Sequence, residues 1–187
     1  MTTTRPLRAD ALRNRDRLLA AAEEAFATEG PEASLNEIAK RAGVGPGTLY
    51  RHFPTRQALQ TAVLKDRIER LCARAEALSG SRAPAEALAE WARVFLVHAR
   101  TSQGMGGALF LEELEETAGL GVDCHAMIEE AAAAVLGRAQ RAGAARSDLS
   151  PADFLQLVTG IALTTARDAD TGQAERLLGL VLDAVQG

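Results

Sequence analysis

The chain has 187 residues, with 21 Lys and Arg against 25 Asp and Glu, a net charge of −4. That length allows one large domain or two small ones with a real core. Hydrophobic residues at 47% and charged residues at 25% exclude wholesale disorder, and the acidic balance, taken whole, argues against a protein that coats nucleic acid.

Alanine occurs 38 times, whereas Ile (4) and Val (9) together number 13. Alanine favours helices and β-branched residues favour strands, so an all-α fold is expected. No apolar run reaches the ~18 residues of a membrane span. The start lacks the apolar core of a secretory signal, so the expected location is cytoplasmic. Cys72 and Cys124 have no metal-ligand or redox spacing and read as packed thiols.

A first helix carries Leu18, Ala22, Ala25 and Phe26 on one face and ends at Gly30-Pro31. Arg5 and Arg8 at its front are expected on a disordered arm, with minor-groove entry as its possible use on DNA. Ser34-Leu-Asn-Glu37 fits a capping box, in which Ser34 accepts from the Glu37 amide and the Glu37 carboxylate reaches back. The second helix turns Leu35, Ile38, Ala39 and Ala42 inward and stops at Gly43. Pro46 tolerates a missing N–H at the start of a short third helix that ends near Phe53-Pro54. Thr55 caps a long fourth helix with Leu64, Ile68, Leu71, Ala75 and Leu78 on one side.

Gly80 to Pro84 reads as a break. A fifth helix follows, striped by Leu88, Trp91, Ala92, Phe95 and Ala99. Residues 101–107 read as loose and Gly-rich. Helices are then expected around 108–117 and 124–141. Ser150 or Pro151 opens another that runs to about Asp168, and a last helix carries Leu178, Val181, Leu182 and Val185. About nine helices result.

Charge is segregated along the chain. Residues 38–65 hold no carboxylate but contain Lys40, Arg41, Arg51, Arg56 and Lys65. Residues 1–60 carry 9 basic and 7 acidic groups, a net of +2, and the remainder 12 and 18, a net of −6. A basic end on an acidic body is the electrostatic footprint of docking on a polyanion, and also what a solvated face produces by chance.

Residues 34–53 resolve these readings. They spell helix, tight turn, helix, with Gly43 at the left-handed turn position and Ala39 small enough for close crossing. Val44, Leu49 and Phe53 anchor the second of these helices. Pro46, Gly47, Thr48, Tyr50, Arg51 and His52 are left towards solvent. Small residues let the helix start approach base edges in a major groove, and Tyr50 and His52 can donate to phosphates.

This segment resembles the helix-turn-helix of the tetracycline-repressor (TetR) family of transcriptional regulators. The match lies at Ile38-Ala39, Ala42-Gly43-Val44, Gly47-Thr48, Tyr50, His52-Phe53, Arg56 and Leu59. The resemblance implies that Pro46, Gly47 and Thr48 lie nearest the bases. It implies phosphate contacts for Tyr50, His52 and Arg56, and backbone contacts for Ser34 and Lys40. Arg51 holds a variable family position suited to reading a base such as guanine. The family's usual serine after Gly-Val is Gly45 here, so that hydroxyl cap and phosphate donor is missing.

The resemblance further implies two domains: residues 12–71 for DNA and 72–187 for effector binding and dimerisation. The apolar stripes of the last two helices suit an intersubunit bundle, through Phe154, Leu157, Val158, Ile161 and Thr165 on one helix and Leu178, Val181, Leu182 and Val185 on the other. Intramolecular core is the competing reading. A homodimer would present two recognition helices to major grooves about 34 Å apart on a palindrome-like operator.

For an effector pocket, Trp91, Phe95 and His98 share one side of the fifth helix, and Met105, Phe110, Cys124 and Met127 are candidates to face them. Plain core is again the alternative. No cofactor or metal is expected. An enzyme is not expected: Glu112, Glu113, Glu115 and Glu116 wind around a helix, adjacent Cys124 and His125 diverge, and Gly104-Met-Gly-Gly107 lacks a phosphate loop's Lys-Ser/Thr. The expected function is a ligand-responsive repressor that an unknown small molecule releases from operator DNA. The alternative is a helical small-molecule-binding or interaction protein whose DNA binding is lost or secondary.

Overall fold

Periodicity and capping place eight helices in a computed structural model that describes residues 4–104, 124–166 and 171–186. The helix expected at 108–117 lies outside the described residues. The chain divides into two compact units, Met1–Asp66 and Arg67–Gly187.

In the first unit, α1 runs Thr4–Glu29. Arg5 and Arg8 therefore lie on a helix, not on a disordered arm. Leu18, Leu19, Ala22, Ala25 and Phe26 bury one face of α1. Gly30, at φ +86°, ends it. The second helix, α2, spans Leu35–Arg41, with Ser34 as N-cap accepting from the Glu37 amide at 3.4 Å. The return half of the capping box does not form. Glu37 turns instead to Lys40, at 3.6 Å one helical turn on.

The end of α2 is a Schellman turn. Gly43 N–H donates to the Lys40 carbonyl and Val44 N–H to the Ala39 carbonyl, both at 3.0 Å. Gly43 sits at φ +66°, where a side chain is strained. After it, α3 spans Pro46–His52 with Gly45 as N-cap and no side-chain hydrogen bond there. Leu18, Phe26, Ile38, Leu49 and Leu59 are fully buried, each contributing roughly 1.5–3 kcal/mol of transfer free energy. Leu35 and Val44, expected inward, are only half-buried. Leu35 opens α2 and Val44 follows its glycine turn, both beyond the buried pair Ile38 and Ala39.

Thr55 accepts from the Ala58 amide at 3.0 Å and opens α4, Arg56–Ser81. The expected break at Gly80 is narrower than the glycine implies. Gly80 has open space around it and stays in the last turn of α4.

The second unit contains the rest of α4 with α5 (Pro84–Gly104), α6 (Cys124–Arg141), α7 (Pro151–Thr164) and α8 (Gly172–Gln186). Here α5 is central, packing on α6, α7 and α8. It buries Leu88, Trp91, Ala92, Phe95, Leu96 and Ala99. Ser150 caps α7 through the Asp153 amide at 3.1 Å, with Pro151 behind it.

Most of the expected dimer stripe faces this unit's own interior. Phe154, Val158, Ile161, Thr165, Leu178, Leu182 and Val185 are buried, whereas Leu157 is exposed and Val181 half-buried. An apolar line at helical spacing satisfies the nearest core first. A second apolar line runs along the other side of α8: Leu177 and Val181 half-buried, Leu180 and Ala184 exposed. Among the described residues, no helix is long and apolar enough to cross a membrane.

Candidate nucleic-acid interface

Three helices of the first unit build this surface. Leu49 and Phe53 hold α3 by its buried side. The opposite side exposes Gly45, Pro46, Gly47, Tyr50 and Arg51, with Thr48 and His52 half-buried. Gly45 and Gly47 have nothing within 4 Å of where a Cβ would stand. The tip of α3 therefore carries no side chain larger than the Pro46 ring. Tyr50 is 47% exposed and offers its phenol beyond the tip. His52 lies tilted on Phe53, ring centroids 6.1 Å apart.

Ser34 caps α2 through its oxygen and stays exposed with its O–H as a donor, and exposed Lys40 lies 3.6 Å from Glu37. Arg56 is half-buried and bonded to the α1–α2 loop. Its Nη1 donates to the carbonyls of Ala33 at 2.6 Å and Pro31 at 3.0 Å, and its Nε lies 3.8 Å from Glu32. Gln60 donates to the same Pro31 carbonyl at 3.0 Å. Two side chains of α4 thus fix the loop that orients α2.

Sequence reasoning passed over Arg15 and Arg17. The Arg15 guanidinium lies 6.0 Å from the Phe53 ring centroid. Arg17 Nη1 lies 3.4 Å from where a Cβ on Gly43 would stand. The available signal was the register of α1: Arg15 continues the stripe of Leu18, Ala22 and Phe26 by one turn, and Arg17 stands at its edge.

In the second unit, Trp91, Phe95 and His98 do form one row. Trp91 and Phe95 stack at 5.5 Å and 4°, and Phe95 and His98 at 6.2 Å and 22°. All three are buried, and Trp91 Nε1 donates to the Leu71 carbonyl at 3.2 Å. Burial, and then the Arg67 charge, push the His98 pKa down to about 3. Buried Arg67 donates to the His98 carbonyl at 3.2 Å.

Met127 belongs elsewhere. It lines a groove of about 200 Å³ between α4 and α6 with Cys72, Ala75, Glu76, Glu130 and Ala131, and none of the aromatic row lines it. Cys72 donates to the Met127 carbonyl at 3.4 Å. Burial first, then Glu76 and Glu130, push the Cys72 thiol up and keep it protonated. Cys124 is buried at the start of α6. Met105 and Phe110 lie outside the described residues. Among those described, no group of three His, Cys, Asp or Glu side chains is placed to hold a metal.

A short helix with a bare tip and a polar-aromatic outer side, set on α2 by a glycine turn, defines a helix-turn-helix DNA-binding protein. The comparisons narrow the class. Residues 18–63 match the family described as bacterial regulatory proteins, tetR family, and residues 83–186 match the SbtR-like transcriptional regulator C-terminal domain. A TetR transcriptional regulator from Streptomyces coelicolor is 42% identical, covering 92% of this chain and 98% of its own, with a TM-score of 0.80. A TetR regulatory protein from Mycobacterium vanbaalenii is 36% identical over 97% of this chain and 100% of its own, at 0.75. An HTH-type transcriptional regulator of Mycobacterium tuberculosis is 47% identical over 57 residues, 30% of this chain and 28% of that protein. The chain belongs to the TetR family of transcriptional regulators, which are DNA-binding proteins and not enzymes.

Proposed function

We propose that the protein is a homodimeric repressor that binds a palindrome-like operator and is released from it by a small-molecule effector. The observation that carries the reading is α3. Its tip at Gly45, Pro46 and Gly47 bears no long side chain, while Tyr50 and Arg51 stand exposed beyond it. Thr48 and the tip lie nearest the bases, Arg51 reads a base, and Tyr50 and His52 donate to phosphates. Arg56 holds the loop before α2 through Nη1 and also meets phosphate, and Ser34 and Lys40 touch the backbone from α2.

Exposed Leu157 and Leu180, with half-buried Val181, support pairing through α7 and α8. The effector wall is the row of Trp91, Phe95 and His98. An effector releases DNA only if it binds the released state more tightly than the DNA-bound one.

The test is a salt series of binding to the protein's own promoter region against a scrambled duplex. Expected is sequence-selective binding with a Kd of about 10⁻⁸ M or tighter at physiological salt, weakening steeply as salt rises. Equal affinity for both duplexes at physiological salt sinks the reading. Trp91 fluorescence is a built-in reporter for effector screening, and an effector must change it and lower operator affinity together.

A further inference from the structure

Ion pairing sorts the basic side chains of the first unit. Arg13 pairs with Asp10, Lys40 with Glu37, Arg41 with Glu29 and Arg56 with Glu32. Among the described side chains of this unit, Arg15, Arg17 and Arg51 have no carboxylate partner. Arg51 stands on α3. The other two stand on α1, outside the helix-turn-helix sequence, and both come back to it in space.

They come back at opposite ends. Arg17 reaches the glycine turn that precedes α3, and its Nη2 donates to Asn14 at 2.5 Å, a neutral partner. Arg15 reaches the C-cap of α3 and lies over Phe53. Two residues apart on a helix, they project about 160° from one another around its axis. Arg15 continues the line of Ala22 and Phe26 at its N-terminal end and is half-buried, whereas Arg17 stands exposed at one edge of the face that α1 packs inward, and exposed Asp16 points away from that face. A guanidinium over an aromatic ring keeps its edge N–H groups for a second partner. Neither arginine has to break an ion pair to meet an anion.

We propose that Arg15 and Arg17 are phosphate contacts for the operator duplex, flanking the recognition helix and gripping the backbone on either side of the groove it enters. The proposal rests on the DNA-binding reading above. Their contribution is electrostatic and independent of base sequence, so it sets affinity and salt dependence and leaves operator choice to α3. Arg15 and Arg17 lie outside the carboxylate-free window of 38–65, so the docking charge is not confined to that window.

The full-length protein tests this with Arg15→Gln, Arg17→Gln and the double variant, and with Arg13→Gln as the paired control on the same helix. Anisotropy titrations on operator and scrambled duplexes, from about 50 to 200 mM salt, give the slope of log K against log salt. Expected is a slope shallower by about 0.9 for each arginine lost in each bound subunit. Affinity should fall by the same factor on both duplexes, and Arg13→Gln should match wild type.

Unchanged slopes in the double variant overturn the proposal. So does an affinity loss at constant slope accompanied by a lower Tm, which would mean that Arg15 only packs on Phe53. Arg15→Lys, keeping the charge but not the planar stack, should retain the wild-type slope. The slopes are read on both duplexes. A wild type without operator preference therefore counts against the regulator reading alone, and the α1 contacts stand or fall by the slope difference.

Discussion

At the scale of single residues, neighbours decide what a side chain can do. Tyr50 and Arg51 were legible because a helix with Leu49 and Phe53 inside must turn them out. Arg56 was not. Its carbonyl partners at Pro31 and Ala33 lie 25 and 23 residues away, a tertiary fact that no local spacing carries. His98 is the converse case: its place in the aromatic row was readable, but its charge state depends on burial beside Arg67 from another helix. Its pKa falls from the ordinary 6.5 to about 3 in the folded protein. Above 6.5 both folded and unfolded states hold a neutral imidazole, so the group does not affect stability. Below 6.5 the unfolded chain takes up a proton that the folded one refuses, and stability falls as pH falls towards 3 at up to about 1.4 kcal/mol per pH unit. Urea unfolding from pH 7.5 to 4.5 should show this loss (roughly that steep at its acid end), and His98→Phe, which keeps the stack on Phe95, should show a flatter profile. An identical profile in the variant would assign the loss to other groups.

At the scale of elements, the glycines divide by backbone and not by neighbourhood. The sequence placed the α2–α3 turn correctly because a left-handed position after Ala42 demands glycine. Gly80 misled because a glycine with open space is also tolerated within a helix, at a modest entropic cost. The same contrast separates Gly43 from Gly47. Gly43 has φ +66° and closes the Schellman turn, so Gly43→Ala should destabilise the protein by about 1–2 kcal/mol. Gly47 lies inside α3 with nothing near its Cβ position, so Gly47→Ala should stabilise it by about 0.4–1 kcal/mol. That stabilised variant should nonetheless bind operator more weakly, because in the proposed contacts the added methyl stands where base edges approach. Urea unfolding and operator titration of both variants check the signs, and a Gly47→Ala protein with unchanged affinity would move the bases away from the tip of α3.

At the scale of the whole molecule, the stripes read from α7 and α8 lie mostly in the protomer's own core. Periodicity finds an apolar line but not which of two neighbours covers it, and the protomer's own core claimed Phe154, Val158, Leu178 and Leu182. The proposed pairing is left with Leu157, 44% exposed, and half-buried Val181 from those stripes, together with Leu180, 61% exposed, which the sequence reading did not include. Under two-fold symmetry each substitution enters an interface twice. Burying a leucine contributes roughly 1.5–3 kcal/mol, so losing two copies of one weakens pairing by about 3 kcal/mol or more, on the order of a hundredfold in dissociation constant. Leu180→Asp should therefore shift the dimer to monomer at micromolar concentration in light scattering, with helix content unchanged because Leu180 supports no intramolecular core. Operator affinity should fall with it, since a monomer engages one half-site only. Leu182→Ala, cut from the protomer's core, should lower Tm first and pairing only through it. A Leu180→Asp protein that remains dimeric, with Leu157→Asp behaving likewise, would move the interface off these two helices.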